Sequence, residues 1–242
     1  MRWLLATVLF IFVIFQNACS PQKKYIHTCP EISKDQTGAF FAPIDSDLPV
    51  TLKVDPDFSK EQQSAIQKAV QKWNSFYQKE HGKSFFYLKT DLEEQTLHIS
   101  ESISCEELED KNYSQNSFWI KKTDSEKLWT SLGLTKRNPA ITLRCYLDDI
   151  LTKQIIMVNT KYLNSEQEVS VFLHELGHTL GLNHSCLEDE GISKENYISC
   201  KNLPKAHPYY KAVLYPYLVQ LETKESLENN DEARTNCLYK EE

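Results

Sequence analysis

The chain has 242 residues, with 27 Lys+Arg against 34 Asp+Glu and a formal net charge of −7. That length suits one large domain or one domain with extensions, and an apolar fraction of 40% is enough to bury a core, which excludes wholesale disorder. The acidic balance excludes a nucleic-acid partner, which needs a basic face.

In chain order, the first feature is residues 1–18. Arg2 precedes a mostly apolar run over 4–15, about the length of a secretory h-region and too short for a comfortable membrane span. Ala18-Cys19 follows, then polar Ser20 to Lys24. This arrangement resembles a bacterial lipoprotein signal, in which a small residue precedes the cysteine that is acylated and becomes the mature N-terminus. Gln16 departs from it, because Leu or a similar residue usually stands three before the cysteine. The alternative is an ordinary cleaved signal that leaves Cys19 to a disulfide. Both imply an exported chain, either secreted or held in the cell envelope, and the first implies attachment to a membrane through lipid. Residues 19–47 are polar and Pro-bearing without sustained periodicity, so they are expected to tether a domain spanning 48–242.

Seven cysteines is an odd count, and no CxxC pair occurs. With Cys19 assigned to lipid, Cys29, Cys105, Cys145, Cys186, Cys200 and Cys237 remain, an even set suited to disulfides outside the cytoplasm. Spacing does not fix the pairing; the expected one is Cys186–Cys200, Cys105–Cys145 and Cys29–Cys237.

Residues 48–54 alternate apolar and polar and read as a strand, broken by Asp55-Pro56-Asp57. Ser59 then caps a helix with Gln62 at the capping-box position, and Ile66, Ala69, Val70, Trp73 and Phe76 share its core face. Further strands are expected at 85–88, 96–100, 141–147 and 155–159, while the charged stretch 101–139 stays unassigned. Ser165 is expected to begin a second helix, paired with Glu168 in a capping box. Val169, Phe172, Leu173, Leu176 and Leu180 form its apolar face, and Gly181 ends it. The order of elements predicts an α+β domain with one main sheet.

The second helix carries His174-Glu175-Leu176-Gly177-His178, then Gly181 and His184. At 3.6 residues per turn, His174 and His178 lie one turn apart on one face, with Glu175 beside them. Gly181 allows the chain to turn back and bring in His184. Three neutral imidazoles suit Zn²⁺ and leave a fourth position for water.

This pattern is the metzincin signature, and the chain is most similar to the matrixin branch. Lys72-Trp73-Asn74 at the end of the first helix, Leu180 to Ser185, and Asn230-Asp231-Glu232-Ala233 running to Leu238-Tyr239 resemble matrixin segments. The resemblance implies a metzincin-like catalytic domain with a mixed, mostly parallel twisted sheet, a first helix, an active-site helix and a C-terminal helix. It implies a zinc endopeptidase acting on proteins or peptides, expected as a monomer. His174, His178 and His184 would bind one Zn²⁺. Glu175 would take a proton from zinc-bound water and pass it to the leaving amine. Substrate would lie extended along the strand at 141–147.

Two departures stand out. The family has a methionine-containing turn beneath the zinc, but Met1 and Met157 both precede the motif. The nearest equivalent is Ala212-Val213-Leu214-Tyr215-Pro216, with Leu214 at the methionine's place, a near volume-conserving exchange. Tyr215 and Pro216 fit the matrixin version, and Tyr217 and Leu218 would lie near the substrate pocket, giving an expected apolar preference. Residue 216 is Pro, so an extra tyrosine ligand of the astacin kind is not expected. The second departure is the long stretch 185–211, expected to be irregular, stapled by Cys186 and Cys200 and placed as a rim. His207 within it is expected at the surface. Cys29 lacks the surroundings of the family's cysteine switch. Asp148-Asp149 is weak ground for a structural calcium, and a solvated turn is expected there. The rival reading is a surface binding protein that keeps the fold without turnover.

Overall fold

The computed structural model describes residues 48–90, 117–135, 137–147, 150–186, 199–201, 203–217 and 222–239. The expected strand at 96–100, the run before residue 48, Asp148-Asp149, Leu218, Cys19, Cys29 and Cys105 lie outside the described residues.

Strand β1 (Val50–Val54) starts two residues later than the alternation suggests, just after a cis Leu48-Pro49 bond. Helix α1 (Lys60–His81) has the expected start. Ser59 Oγ accepts the Gln62 amide at 3.2 Å and Gln62 Oε1 accepts the Ser59 amide at 3.1 Å, so two otherwise orphaned donors satisfy each other's residue. Strand β2 (Phe86–Lys89) lies one residue beyond its expected place.

Two elements fall in the stretch left unassigned, β3 (Ser117–Lys122) and the short helix α2 (Glu126–Ser131). Strand β4 (Ala140–Leu147) is followed by β5 (Ile150–Val158), which starts five residues earlier than expected. The second long helix also differs from its reading. Asn164, not Ser165, caps a 3₁₀ turn (Ser165–Gln167), its Oδ1 accepting the Glu166 amide, and α3 proper is Glu168–Thr179. Asn is as good a cap as Ser, and one residue of register moves Glu168 off the capping-box position. Within the stretch expected to be irregular, Pro208–Lys211 forms helix α4, capped by His207, whose Nδ1 accepts the Tyr209 amide at 3.1 Å. The half-buried His207 is thus a cap rather than a free surface ring. Helix α5 (Asn229–Leu238) closes the described chain.

The sheet order is β2-β1-β3-β5-β4, with β2, β1, β3 and β5 parallel and β4 antiparallel at one edge. This is the mixed, mostly parallel sheet expected, and β4, the strand expected to take substrate, lies at its edge among the described residues. Period-two alternation sends Val50, Leu52, Val54, Phe118, Ile120, Ile156 and Val158 into one core with α1 and α3. Trp119, Ile155 and Met157 go to the other face, against Leu128 and Trp129 of α2. Each fully buried side chain of this size contributes roughly 1.5–3 kcal/mol. Helices α1 and α3 are also pinned by a polar contact, the Trp73 indole N–H donating to the Leu173 carbonyl at 3.0 Å. Among the described residues, no helix is long and apolar enough to cross a membrane.

Candidate metal centre and active site

The site is built on the last two turns of α3 and the reversal after it. Gly181 has φ +92°, a conformation open to glycine and costly for other residues. The Gly181 amide donates to the His178 carbonyl at 3.0 Å, and the Leu182 amide donates back to Gly177 at 3.0 Å. This pair of bonds is a Schellman reversal, which stops the helix and sends the chain back across its own end. His184 is thereby returned to the two helical imidazoles. The ring centroids of His174, His178 and His184 lie 4.6, 5.2 and 4.9 Å apart, and one ligand nitrogen from each falls within 4.8 Å of the others.

Backbone carbonyls fix the tautomers. His174 Nδ1 donates to the Val213 carbonyl and His178 Nδ1 to the Leu182 carbonyl, both at 2.8 Å. A carbonyl only accepts, so in each ring Nδ1 carries the proton and Nε2 presents its lone pair. The two Nε2 atoms face each other at 3.0 Å. Two neutral imidazoles gain nothing from that approach unless an electrophile lies between them, and ligands about 2.0–2.1 Å from one tetrahedral zinc come about 3.3 Å apart. Burial, reinforced by His184, holds His174 down at about 3, and burial with both neighbouring histidines holds His178 well below its usual range. Neutral, preoriented and convergent nitrogens fit a Zn²⁺ ion.

Glu175 is buried on the same turn, at 6% exposure. Its Oε2 accepts the Thr142 hydroxyl of β4 at 2.7 Å. Burial pushes its carboxyl up to about 7, against the opposing pull of that hydroxyl and of Arg144. Arg144, also on β4, donates to the His178 carbonyl, and Gln154 of β5 donates to Thr179 at 2.9 Å. The sheet edge therefore grips the C-terminal carbonyls of the helix that carries the imidazoles.

The opposite side is held by a turn and by α5. The Tyr215 amide donates to Ala212 at 3.1 Å, closing the turn that presents the Val213 carbonyl to His174. Leu214 is fully buried in the core beneath α3. Asp231 of α5 is buried under the same turn, accepting the Val213 amide at 3.0 Å, the Leu214 amide at 3.5 Å and the Glu228 amide at 3.1 Å. Burial raises its carboxyl to about 6, although those amides favour the charged form. One turn on, the fully buried Arg234 donates to the Asn183 carbonyl at 2.9 Å and lies 3.4 Å from that of His184. Two arms of one helix thus tie down the turn behind His174 and the segment carrying His184.

Cys186 and Cys200 are joined by a disulfide and pack with Tyr215, Leu203 and Tyr210. Ser185 donates its amide to Leu214 at 2.9 Å and its hydroxyl to Tyr209 at 2.7 Å, so the stapled stretch is bound to the turn. Cys145 and Cys237 are also disulfide-bonded; the partners expected for them, Cys105 and Cys29, lie outside the described residues. A small cavity opens beside His174, lined by Ser170, Val213, Tyr215, Tyr217, Glu222 and Lys224. Tyr215 and Tyr217 are among the residues expected near a substrate pocket. Thr142, Arg144, Lys224, Asp231 and Arg234 carry no sequence signal for their roles at the site, because the contacts that define those roles are long-range.

The reprolysin model of metallo-peptidase family M12 matches residues 50–210, two thirds of the chain. The chain belongs to metallo-peptidase family M12. The match takes in the whole of α3 and His184 and ends before the turn at 212–215 and α5. Among solved structures, high choriolytic enzyme 1, a hatching enzyme zinc-protease from Oryzias latipes (Medaka fish), is similar. The two are 13% identical, with 83% of this M12 chain and 94% of that chain covered and a TM-score of 0.40. No curated protein matches the sequence.

Proposed function

We propose that this M12 protein is a zinc-dependent endopeptidase that cuts peptide bonds in proteins outside the cytoplasm. The observation that carries the reading is two preoriented, neutral imidazoles on one helical turn, with the ring of His184 converging on them beside a buried carboxylate. His174, His178 and His184 would hold Zn²⁺, which would supply Lewis acidity toward a water and the scissile carbonyl.

The chain's own residues do the rest. Glu175 takes the proton from the attacking water and delivers it to the leaving amine, and the Thr142 hydroxyl at 2.7 Å aims its carboxylate. Val213 and Leu182 keep the two helical imidazoles in the metal-binding tautomer. Among the described residues, strand β4 pairs with β5 alone, and its outer backbone edge would take an extended peptide. Water serves as nucleophile, so no Ser or Cys is required. The Leu214-Tyr215-Pro216 turn fills the place of a matrixin-type methionine turn, with Leu supplying the apolar floor. Export, and anchorage through lipid on Cys19, follow from the lipoprotein-like residues 1–19 and complete the reading.

The test is Glu175→Ala in the zinc-loaded protein. Cleavage is expected to vanish while the fold and stoichiometric zinc persist; continued cleavage would remove the mechanism. Mass spectrometry of the mature N-terminus checks the lipid.

A further inference from the structure

The cavity beside His174 is small, and its outer wall is stitched in place. It measures about 20 Å³, room for one water or one methyl group. Tyr215 forms its floor, buried against Tyr210, Leu203 and the Cys186–Cys200 disulfide. Tyr217 stands edge-on to Tyr215 at the exposed mouth, with ring centres 5.6 Å apart. The Lys224 side chain lies across the floor, its Nζ 4.5 Å from the Tyr215 ring centre.

The outer wall is the strap from Glu222 to Lys224, and it has little freedom to withdraw. The Lys224 amide donates to Ser170 Oγ at 2.7 Å, and the Gln167 side chain donates to the Glu222 carbonyl at 3.3 Å. Glu222 pairs with Lys205 through Oε1 and accepts the Tyr210 hydroxyl through Oε2 at 2.9 Å. Lys224 Nζ donates to the Tyr210 and Ala212 carbonyls, the latter at 2.8 Å. The strap is thus anchored both to the start of α3 and to residues 205–212, so widening the cavity means breaking several bonds at once. Charge does not mark the cavity for an ionic side chain, because Asp231, Glu222 and Glu228 all act on Lys224 and offset its ammonium. Size is what this cavity can discriminate.

We propose that the strap holds the cavity to the room of a single methyl, so that the protein selects Ala or Ser over Leu or Phe next to the cleaved bond. His174 lines the cavity and is one of the residues that would hold the metal, so a side chain adjoining the cleaved carbonyl reaches it. A larger side chain must displace the stitched wall or stay outside over Tyr217, and either course loses binding. The inference rests on the endopeptidase reading above and narrows the apolar preference expected from Tyr217 and Leu218 to small side chains.

The experiment uses the full zinc-loaded protein and a peptide library carrying Ala, Ser, Leu or Phe on each side of the cleaved bond in turn. Wild type is expected to favour Ala or Ser at one of these positions by about 10- to 100-fold in kcat/KM, the effect of overpacking a rigid site. No such preference at either position would overturn the proposal. Lys224→Ala removes the stem across the floor and is expected to raise the Leu-to-Ala ratio about tenfold at the same position. An equal loss on all peptides would make Lys224 a brace alone and overturn the role given to the strap. If that variant does not fold, the wild-type ratios decide. Calorimetric titration of Glu175→Ala with Ala-bearing and Leu-bearing pentapeptides reads the same choice without turnover: tighter Ala-peptide binding supports it, and equal or weaker binding overturns it. If wild type cuts no peptide, the endopeptidase reading fails separately, and the same titration of wild type decides the cavity's preference.

Discussion

The contact between Gly177 and Leu214 can be tested with a single methyl group. A Cβ at Gly177 would lie 2.6 Å from Leu214 Cδ2, 3.3 Å from Leu214 Cδ1 and 3.2 Å from Trp73 Cζ2, and both neighbours are fully buried. Intrinsic helix propensity favours Gly177→Ala by about 1 kcal/mol. Overpacking a buried site costs about 1–3 kcal/mol. The net expectation is a loss of about 0–2 kcal/mol, a sign opposite to that of propensity alone. Leu214→Ala alone should cost about 2–5 kcal/mol through the cavity it leaves. The new methyl at 177 would enter that cavity, so the double variant should lose about 1–3 kcal/mol less than the sum of the singles. Urea unfolding of the four metal-free proteins measures the cycle. Displacing Leu214 also moves the turn whose Val213 carbonyl holds His174, so zinc affinity in Gly177→Ala should fall about tenfold by chelator competition. Additivity within about 0.5 kcal/mol, or a Gly177→Ala that gains the full propensity benefit, would refute the packing argument.

Other expectations follow from the same geometry. Thr142→Val should lower kcat about tenfold or more with zinc content unchanged, and Thr142→Ser should recover most of it, because only the hydroxyl reaches Glu175. Asp231 has a folded pKa of about 6 against an ordinary 3.8, so the native state holds its proton longer than the unfolded chain. Its contribution should therefore fall by about 2 kcal/mol between pH 4 and pH 6. The unfolding free energy of metal-free wild type minus that of Asp231→Asn should show that decline, and a flat difference would contradict it. Arg234→Met should weaken zinc binding about 10- to 100-fold, read by chelator competition. Replacing Cys186 and Cys200 by Ser opens a link of sequence separation 14 and should cost up to about 3 kcal/mol in thermal or urea unfolding.

Features written in local sequence were legible. The Ser59–Gln62 capping box, the apolar stripe of α1, the His174–His178 spacing and the reversal at Gly181 depend on residues a few positions apart. Strand β3 was not legible because it is central and buried on both faces. Phe118, Trp119 and Ile120 form an unbroken apolar run between an uncharged polar flank and two lysines, where alternation gives no signal. The start of α3 slipped by one residue because Asn164 and Ser165 are both competent caps and only the fold chooses. Thr142 reads as the polar face of an edge strand, yet it points at Glu175 from 33 residues away. Asp231 and Arg234 sit within the segment that resembles the family's closing helix, but their carbonyl and amide partners are fixed only by tertiary docking.

The two arms of α5 have a consequence for the order in which a working site can be assembled. A chain made from its N-terminus completes α3, with two of the three imidazoles, well before Arg234 exists, 51 residues after Asn183. Until α5 docks, the amides of Val213 and Leu214 lack their buried acceptor, and the carbonyls beside His184 lack their donor. Firm metal capture is thus deferred to the final packing step. A partly made chain carries the catalytic motif in full and yet lacks the rigidity to hold its metal, so cutting power is gated by completion of the fold.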